Sequence, residues 1–321
     1  MSREDQRWMG AALALASRGV GRTGPNPPVG CVLVKDGRVL ARGWTQAGGR
    51  PHAEEMALHG ANAAGATAYV TLEPCAHQSP RGPACADGLI AAGVARVVVA
   101  ATDPDPRTNG AGLARLAAAG IAVSHGVRAD EARAIMAGFF TRQALGRPHI
   151  TLKLAVSLDG SVAMASGQSR WITGPRARAH AHLERARAEM ILVGRGTLVA
   201  DNPRLDVRLP GLEDRAPIVA VMSRDAVLPE GIEAVASPAA LAARAVVNLV
   251  LAEGGAGLAS SLIAADLVDR LLLYRAPILM GGQPALAGIG LSDLSAAHGR
   301  WQPGPVLDLA PDRVETYTRI R

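Results

Sequence analysis

The chain has 321 residues, 49% of them hydrophobic, a length that suits about two domains and an apolar share that excludes disorder. No apolar run is long enough to span a bilayer, and the opening residues Arg3, Glu4, Asp5 and Arg7, ahead of an alanine-rich stretch, lack the pattern of a secretory signal, so a cytoplasmic protein with no membrane partner is expected. The net charge of +6 comes from scattered arginines and aromatics are only 3%, which argues against a nucleic-acid partner; an arginine-rich composition or binding of a phosphorylated small molecule accounts for the charge equally well.

Residues 6–18 read as a helix with Trp8, Met9, Ala12, Leu13 and Ala16 on one face. Gly24-Pro25-Asn26-Pro27-Pro28 follows as a rigid loop. Residues 29–34 and 39–43 form a hairpin about Lys35-Asp36-Gly37-Arg38, where Asp-Gly signals the turn. Cys31, in the first of these strands, is core filler. A helix over 52–59 places His52 and Glu54 near its start. Residues 68–72 are a buried strand leading into Glu73-Pro74-Cys75, 87–92 a helix, 94–101 a strand, 109–120 a loop and helix, and 121–124 a short strand. Gly146-Arg147-Pro148 is the expected linker, giving domains at 1–146 and 147–321. Beyond it, strands at 150–157, 190–193, 217–222, 246–252 and 271–274 alternate with helices at 175–188 and 258–264, and Leu158-Asp159-Gly160 is a turn. The alanine-rich stretch 234–245 is expected to be helical. The alternation points to α/β layers in both halves.

The chemistry is concentrated in His52-Ala53-Glu54, Pro74-Cys75 and Cys85. One imidazole and two thiolates hold zinc with a fourth position left for water, whose pKa the metal lowers. Glu54 need not touch the metal; it can take the water's proton and pass it to a departing amine. Pro74 is expected in the first turn of a helix, with Cys75 at the N-terminal end that favours a thiolate. Three cysteines in a chain of this length argue against a disulfide framework. The same pattern is shared by zinc-dependent nucleobase deaminases. In the second half, Gly194-Arg195-Gly196-Thr197 and Gly254-Gly255-Ala256-Gly257 are glycine turns that would let backbone N–H groups approach a phosphate, although their spacing is not the dinucleotide fingerprint.

Taken together, the chain resembles the bifunctional riboflavin-biosynthesis deaminase–reductase family. In the first half the resemblance rests on Pro25-Asn26-Pro27, Val29-Gly30-Cys31, His52-Ala53-Glu54 and Thr71-Leu72-Glu73-Pro74-Cys75. In the second it rests on Leu152-Lys153, Ser157-Leu158-Asp159-Gly160, Ser169-Arg170-Trp171-Ile172-Thr173-Gly174, Ile191-Leu192-Val193-Gly194, Asp201-Asn202-Pro203, Glu253-Gly254-Gly255, Leu267-Val268-Asp269 and Ala276-Pro277. The resemblance implies a cytidine-deaminase-like three-layer domain followed by a dihydrofolate-reductase-like α/β domain. It implies hydrolytic deamination of 2,5-diamino-6-(5-phosphoribosylamino)pyrimidin-4(3H)-one, then NADPH-dependent reduction of the ribosyl chain of 5-amino-6-(5-phosphoribosylamino)uracil to ribityl. By the resemblance His52, Cys75 and Cys85 hold Zn2+, Glu54 shuttles the proton, and Asn26 and His77 contact the first substrate. Ala155, Trp171, Thr197, Asp201 and Ser223 lie against NADPH, and Gly254 and Gly255 receive its phosphates. Ser169, Arg185, Leu205, Arg208 and Glu253 hold the second substrate, with Lys153 a charge beside the reacting sugar. A homo-oligomer, dimer or tetramer, is the expected assembly.

The chain departs from the family in places. Nine residues separate Cys75 from Cys85 where eight are common. Thr45 stands for a frequent histidine, Asp105 for a frequent asparagine, and Met222 for the aspartate of an Asp-Ser pair. The 223–253 segment is short. The alternatives are a deaminase whose second domain is not catalytic and a deaminase acting on nucleic-acid bases.

Overall fold

A computed structural model describes residues 2–78, 81–224 and 228–321. The chain divides into two compact units, Met1–Gly146 and Arg147–Arg321. The first unit opens with helix α1 (Arg3–Ala16). Ser2 caps it: its hydroxyl accepts from the Asp5 N–H at 3.0 Å, and the Asp5 carboxylate reaches back to the Ser2 N–H. Trp8, Met9, Ala12, Leu13 and Ala16 form its buried face. Strands β1 (Gly30–Lys35) and β2 (Arg38–Trp44) make the expected hairpin, with Asp36 and Gly37 both at positive φ in the turn.

Helix α2 (Ala53–Leu58), strand β3 (Thr67–Leu72), helix α3 (Cys85–Ala91) and strand β4 (Arg96–Ala101) follow. Helix α4 (Ala111–Ala118), strand β5 (Ala122–His125) and helices α5 (Ala129–Ile135) and α6 (Ala137–Leu145) complete the unit. The last two helices carried no clear sequence signal. The five strands are ordered β2-β1-β3-β4-β5, antiparallel through β1 and parallel from β3 onward. The buried runs of β1, β3 and β4 are apolar because helices cover both faces of such a sheet. Gly43 lets α2 lie directly on β2: a Cβ there would stand 2.3 Å from the Ala53 carbonyl oxygen. That close approach seats His52 and Glu54 at the sheet. Cys31 is fully buried in the core, as expected of a filler residue.

In the second unit β6 (His149–Val156) and β7 (Ser161–Ala163) precede α7 (Pro175–Ala186), β8 (Met190–Gly194) and α8 (Arg195–Asp201). Then come β9 (Ile218–Met222), β10 (Ile232–Val235), α9 (Pro238–Ala242), β11 (Leu249–Glu253) and α10 (Ala256–Ala264). The unit ends with β12 (Arg270–Arg275), β13 (Gln283–Pro284), β14 (Trp301–Leu309) and β15 (Asp312–Arg319). The main sheet runs β10-β9-β8-β11-β6-β12-β15-β14, parallel as far as β12 and closed by an antiparallel C-terminal hairpin.

One expectation is corrected here. The stretch 234–245 is not one helix: Ile232–Val235 extends the sheet beside β9, and only Pro238–Ala242 is helical, starting after the Ser237 cap. Alanine content raised helix propensity, but sheet pairing overrode it. Residues 225–227 of the short 223–253 segment lie outside the described residues.

The base of the second unit is a buried charge cluster. Asp269 receives both forks of Arg147 at 2.8 Å and the Ile150 N–H at 2.8 Å, with Arg321 Nη1 at 2.6 Å. His149 Nδ1 lies 3.9 Å from the same carboxylate. Burial pulls the His149 imidazole down from 6.5 to about 4 despite that carboxylate, and the arginines around it act in the same direction. The unfolded chain therefore takes up a proton before the folded chain does, so stability falls as pH drops from about 6.5 to about 4, by up to ~3 kcal/mol. The stability advantage of wild type over His149→Gln, read from urea unfolding, should shrink across that window. A constant difference between pH 7 and pH 4.5 would assign the acid sensitivity elsewhere.

Candidate active sites

The first unit gathers its chemistry where α2 and α3 begin. His52 is the residue before α2, Glu54 lies in its first turn, and Cys85 is the first residue of α3. The expectation for the other cysteine is corrected: Pro74-Cys75 starts no helix and lies in the loop after β3. It is Cys85 that occupies a helix N-terminus. The thiol of Cys75 is nonetheless drawn to it, accepting the Cys85 backbone N–H at 3.3 Å.

His52 Nδ1 stands 3.2 Å from Cys85 Sγ and 3.7 Å from Cys75 Sγ, and the three ligand atoms all lie within 4.8 Å of one another. A tetrahedral zinc with bonds of roughly 2.0–2.3 Å has edges of roughly 3.5–3.8 Å. The donor set and its clustering suit that metal, with the His52–Cys85 pair slightly closer than a tetrahedral edge. Asn26 Nδ2 donates to the Gly49 carbonyl at 2.7 Å and sits 3.2 Å from His52 Nε2, bracing the ring from behind. The Cys75 thiol is held well below its usual value, first by the hydrogen bond from the Cys85 thiol and also by His52, which favours the thiolate that a metal would take.

Glu54 is 4% exposed, and burial pushes its carboxyl up from 4.5 to about 7. A carboxyl poised near neutrality can both accept and return a proton. His77 is half-buried, its Nδ1 3.3 Å from the hydroxyl of the buried Thr108. Thr45 turns inward instead: its hydroxyl accepts the Val29 N–H at 3.0 Å. Asp105 is held by Arg107, whose Nε lies 2.9 Å from Oδ1.

The second unit holds a cleft of about 800 Å³ along the C-terminal ends of its parallel strands. Lys153, Ala155, Ser169 and Trp171 line it from the β6 side. Arg185, Thr197, Asp201, Leu205 and Arg208 line it from α7 through the loop after α8. Glu253, Gly254 and Gly255 close it at the end of β11. Ser223 is not among the lining residues; its N–H is bonded to the Val235 carbonyl at the far edge of the sheet. Gly255 caps α10 without a side-chain bond, leaving the first N–H groups of that helix to the cleft, a donor set that fits a cofactor's phosphates.

Arg185 spends its fork inside the protein. Its Nε and Nη2 donate to Glu253 at 2.7 and 2.9 Å, and Nη1 donates to the Asp206 carbonyl. Lys153 Nζ lies 3.9 Å from the same carboxylate. Both cations hold the Glu253 carboxyl below its usual range against the effect of burial, which is the largest influence on it. Arg185→Met is expected to strand Glu253 and cost about 3 kcal/mol in urea unfolding of this unit, with reductase kcat/KM lost alongside. Unchanged stability would mean that Lys153 alone neutralises the carboxylate.

Among the cleft residues that the sequence did not single out is His182. It receives the backbone N–H of Arg208 at 3.3 Å. It lies three residues before Arg185 on α7, and that helical spacing was the available signal.

Comparison with known proteins places both units. The cytidine and deoxycytidylate deaminase zinc-binding region matches residues 2–101, and the RibD C-terminal domain matches 148–242 and 234–301. The riboflavin biosynthesis protein RibD of Escherichia coli K12 is 42% identical over 327 residues, covering 87% of this chain and 89% of the relative. The chain belongs to the RibD family. It is a riboflavin-biosynthesis enzyme that joins a deaminase to a reductase. RibD of Mycobacterium tuberculosis H37Rv is 39% identical over 95% of the chain and 94% of its own length. Among solved structures, a Thermotoga maritima protein described as a diaminohydroxyphosphoribosylaminopyrimidine deaminase/5-amino-6-(5-phosphoribosylamino)uracil reductase superposes with a TM-score of 0.89 at 31% identity over 99% of both chains. Acinetobacter baumannii RibD superposes at 0.86 with 35% identity, again over 99% of both. The two pieces of the RibD C-terminal match meet at 234–242, inside the short 223–253 segment. Among the described residues no helix is long and apolar enough to cross a membrane.

Proposed function

We propose that the first unit releases the C2 amino group of 2,5-diamino-6-(5-phosphoribosylamino)pyrimidin-4(3H)-one as ammonia. The second unit then reduces the ribosyl chain of 5-amino-6-(5-phosphoribosylamino)uracil to ribityl, with NADPH as reductant. The observation that carries the reading is the convergence of His52, Cys75 and Cys85 beside the buried Glu54, in one chain with a cleft built around Lys153, Arg185 and Glu253. The similar Thermotoga maritima protein is described by the same two activities.

His52, Cys75 and Cys85 are the residues that would hold zinc, which supplies Lewis acidity and an acidified water. Glu54 takes a proton at its carboxylate and gives it to the departing amine, and its raised pKa suits both transfers. Asn26 and His77 orient the pyrimidine. In the second unit the uncapped start of α10, with Gly254 and Gly255, receives the phosphates of NADPH, the hydride donor. Ala155, Trp171, Thr197 and Asp201 lie along the cofactor, with Ser223 toward its far end. Ser169, Leu205 and Arg208 hold the phosphoribosyl group. Arg185 keeps Glu253 ionised and aimed, and Lys153 presents positive charge to the reacting sugar. The expected setting is a cytoplasmic dimer or tetramer, which sedimentation of the purified protein reads directly.

The test is a coupled assay. The zinc-loaded protein is given the diaminopyrimidinone substrate and ammonia is followed; NADPH is then added and its absorbance followed. One NADPH oxidised per ammonia released supports both halves. Ammonia with silent NADPH and NADH would leave a deaminase with a non-catalytic second unit.

A further inference from the structure

Glu73 stands two residues before Cys75 and is 2% exposed. A buried carboxylate must recover the solvation it gives up. Glu73 does so entirely through backbone N–H groups. Oε2 accepts from Asp103 at 3.2 Å and Gly110 at 3.0 Å, and Oε1 accepts from Gly112 at 2.9 Å and Leu113 at 3.3 Å. Charge-assisted bonds of this kind are stronger than neutral ones, and these four all point at one stretch of chain. That stretch is the 103–110 loop together with the first turn of α4.

The contact is close. A Cβ at Gly112 would stand 2.1 Å from the Pro74 carbonyl oxygen and 3.2 Å from Glu73 Oε1, so the backbone of α4 lies directly on the loop that carries Cys75. The loop pinned in this way stands beside His77. It holds Asp103, whose Oδ1 accepts the Asp105 N–H at 2.9 Å, and Thr108, whose hydroxyl meets His77. Asp103 and Arg107 are both near enough to Cys75 to feel its charge.

We propose that Glu73 is a positioning residue for the deaminase reaction: it fixes the 103–108 loop at a set spacing from the Cys75 loop and so sets the slot in which the pyrimidine ring is presented to Glu54. This rests on the deaminase reading of the site. Glu73 touches neither substrate nor metal in this role. It acts through the two loops that it joins.

The test compares the full-length zinc-loaded chain with two variants. Glu73→Gln keeps the shape but turns one oxygen into a donor facing two N–H groups. Gly112→Ala leaves Glu73 intact and drives α4 off the Pro74 carbonyl. In both, zinc is expected to stay at one per chain, and reductase kcat/KM on supplied 5-amino-6-(5-phosphoribosylamino)uracil to stay at the wild-type value. The KM for the deaminase substrate is expected to rise by about 10- to 100-fold, with kcat falling less, because a displaced loop misplaces the ring. Lowered melting temperature with unchanged KM and kcat would overturn the proposal and leave Glu73 a plain structural residue. Zinc lost in step with activity would also overturn it, since the carboxylate would then be holding the metal loop. A wild-type chain that releases no ammonia would show that the reading of the site, not only of Glu73, is wrong.

Discussion

Glu54→Gln is expected to keep its zinc and lose deamination by about 10²- to 10⁴-fold or more, the range for removing a positioned acid–base group. The change is nearly isosteric, and Glu54 is buried in the first turn of α2 next to His52, so the ligand geometry is kept while the proton carrier is removed. An amide cannot accept the water's proton or return it to the amine. The reductase provides an internal control. Supplied with 5-amino-6-(5-phosphoribosylamino)uracil, the variant should oxidise NADPH at the wild-type rate. Metal content, ammonia release and NADPH absorbance read the three parts separately. Ammonia release within a few-fold of wild type would move the proton transfer to another group.

Cys75→Ser is expected to fail earlier, at the metal. A serine hydroxyl is far less acidic than a thiol, and the Cys75 thiol is held below its usual value, so the zinc set falls from three strong ligands to two. Cys75 Sγ also accepts the N–H that opens α3, so the substitution disturbs local order as well as affinity. Zinc content after dialysis should fall to a small fraction of one per chain, deamination should vanish, and the unfolding transition of the first unit should come at lower temperature. Cys31→Ser is the control: Cys31 lies in the sheet core and belongs to no ligand set, so zinc should remain. Retention of zinc in Cys75→Ser would remove that residue from the set.

The deaminase centre was legible because its signals are local. His-x-Glu at the start of a helical run and two cysteines a short loop apart are spacings along the chain, and the hairpin that supports them is announced by Asp36-Gly37. The setting of Cys75 was not legible. Proline before cysteine fits a helix start, but here the Pro74 carbonyl lies directly against Gly112 in the first turn of α4, a contact from a distant segment. In the second unit the short helices α8 and α9 lack strong periodicity, β14 is largely exposed, and β15 takes its second partner, β12, about 40 residues back in the chain.

By itself the sequence determined the chemistry on offer: one imidazole, two thiolates and a carboxylate at fixed offsets, then glycine turns after apolar strands in a second α/β layer. Those follow from side-chain type and backbone period, which are properties of short windows. Only the tertiary structure decided how the charged groups are spent. Arg185 offers a fork that suits phosphate, yet the fold pairs it with Glu253, 68 residues away. Glu73 looks like one more charge at a strand end, yet it is closed in by four N–H groups from residues 103–113. The physical reason is the same in both cases. A buried charge takes whichever partner the packing brings within hydrogen-bond reach, and that partner is set by strand order and helix approach, which no local pattern encodes.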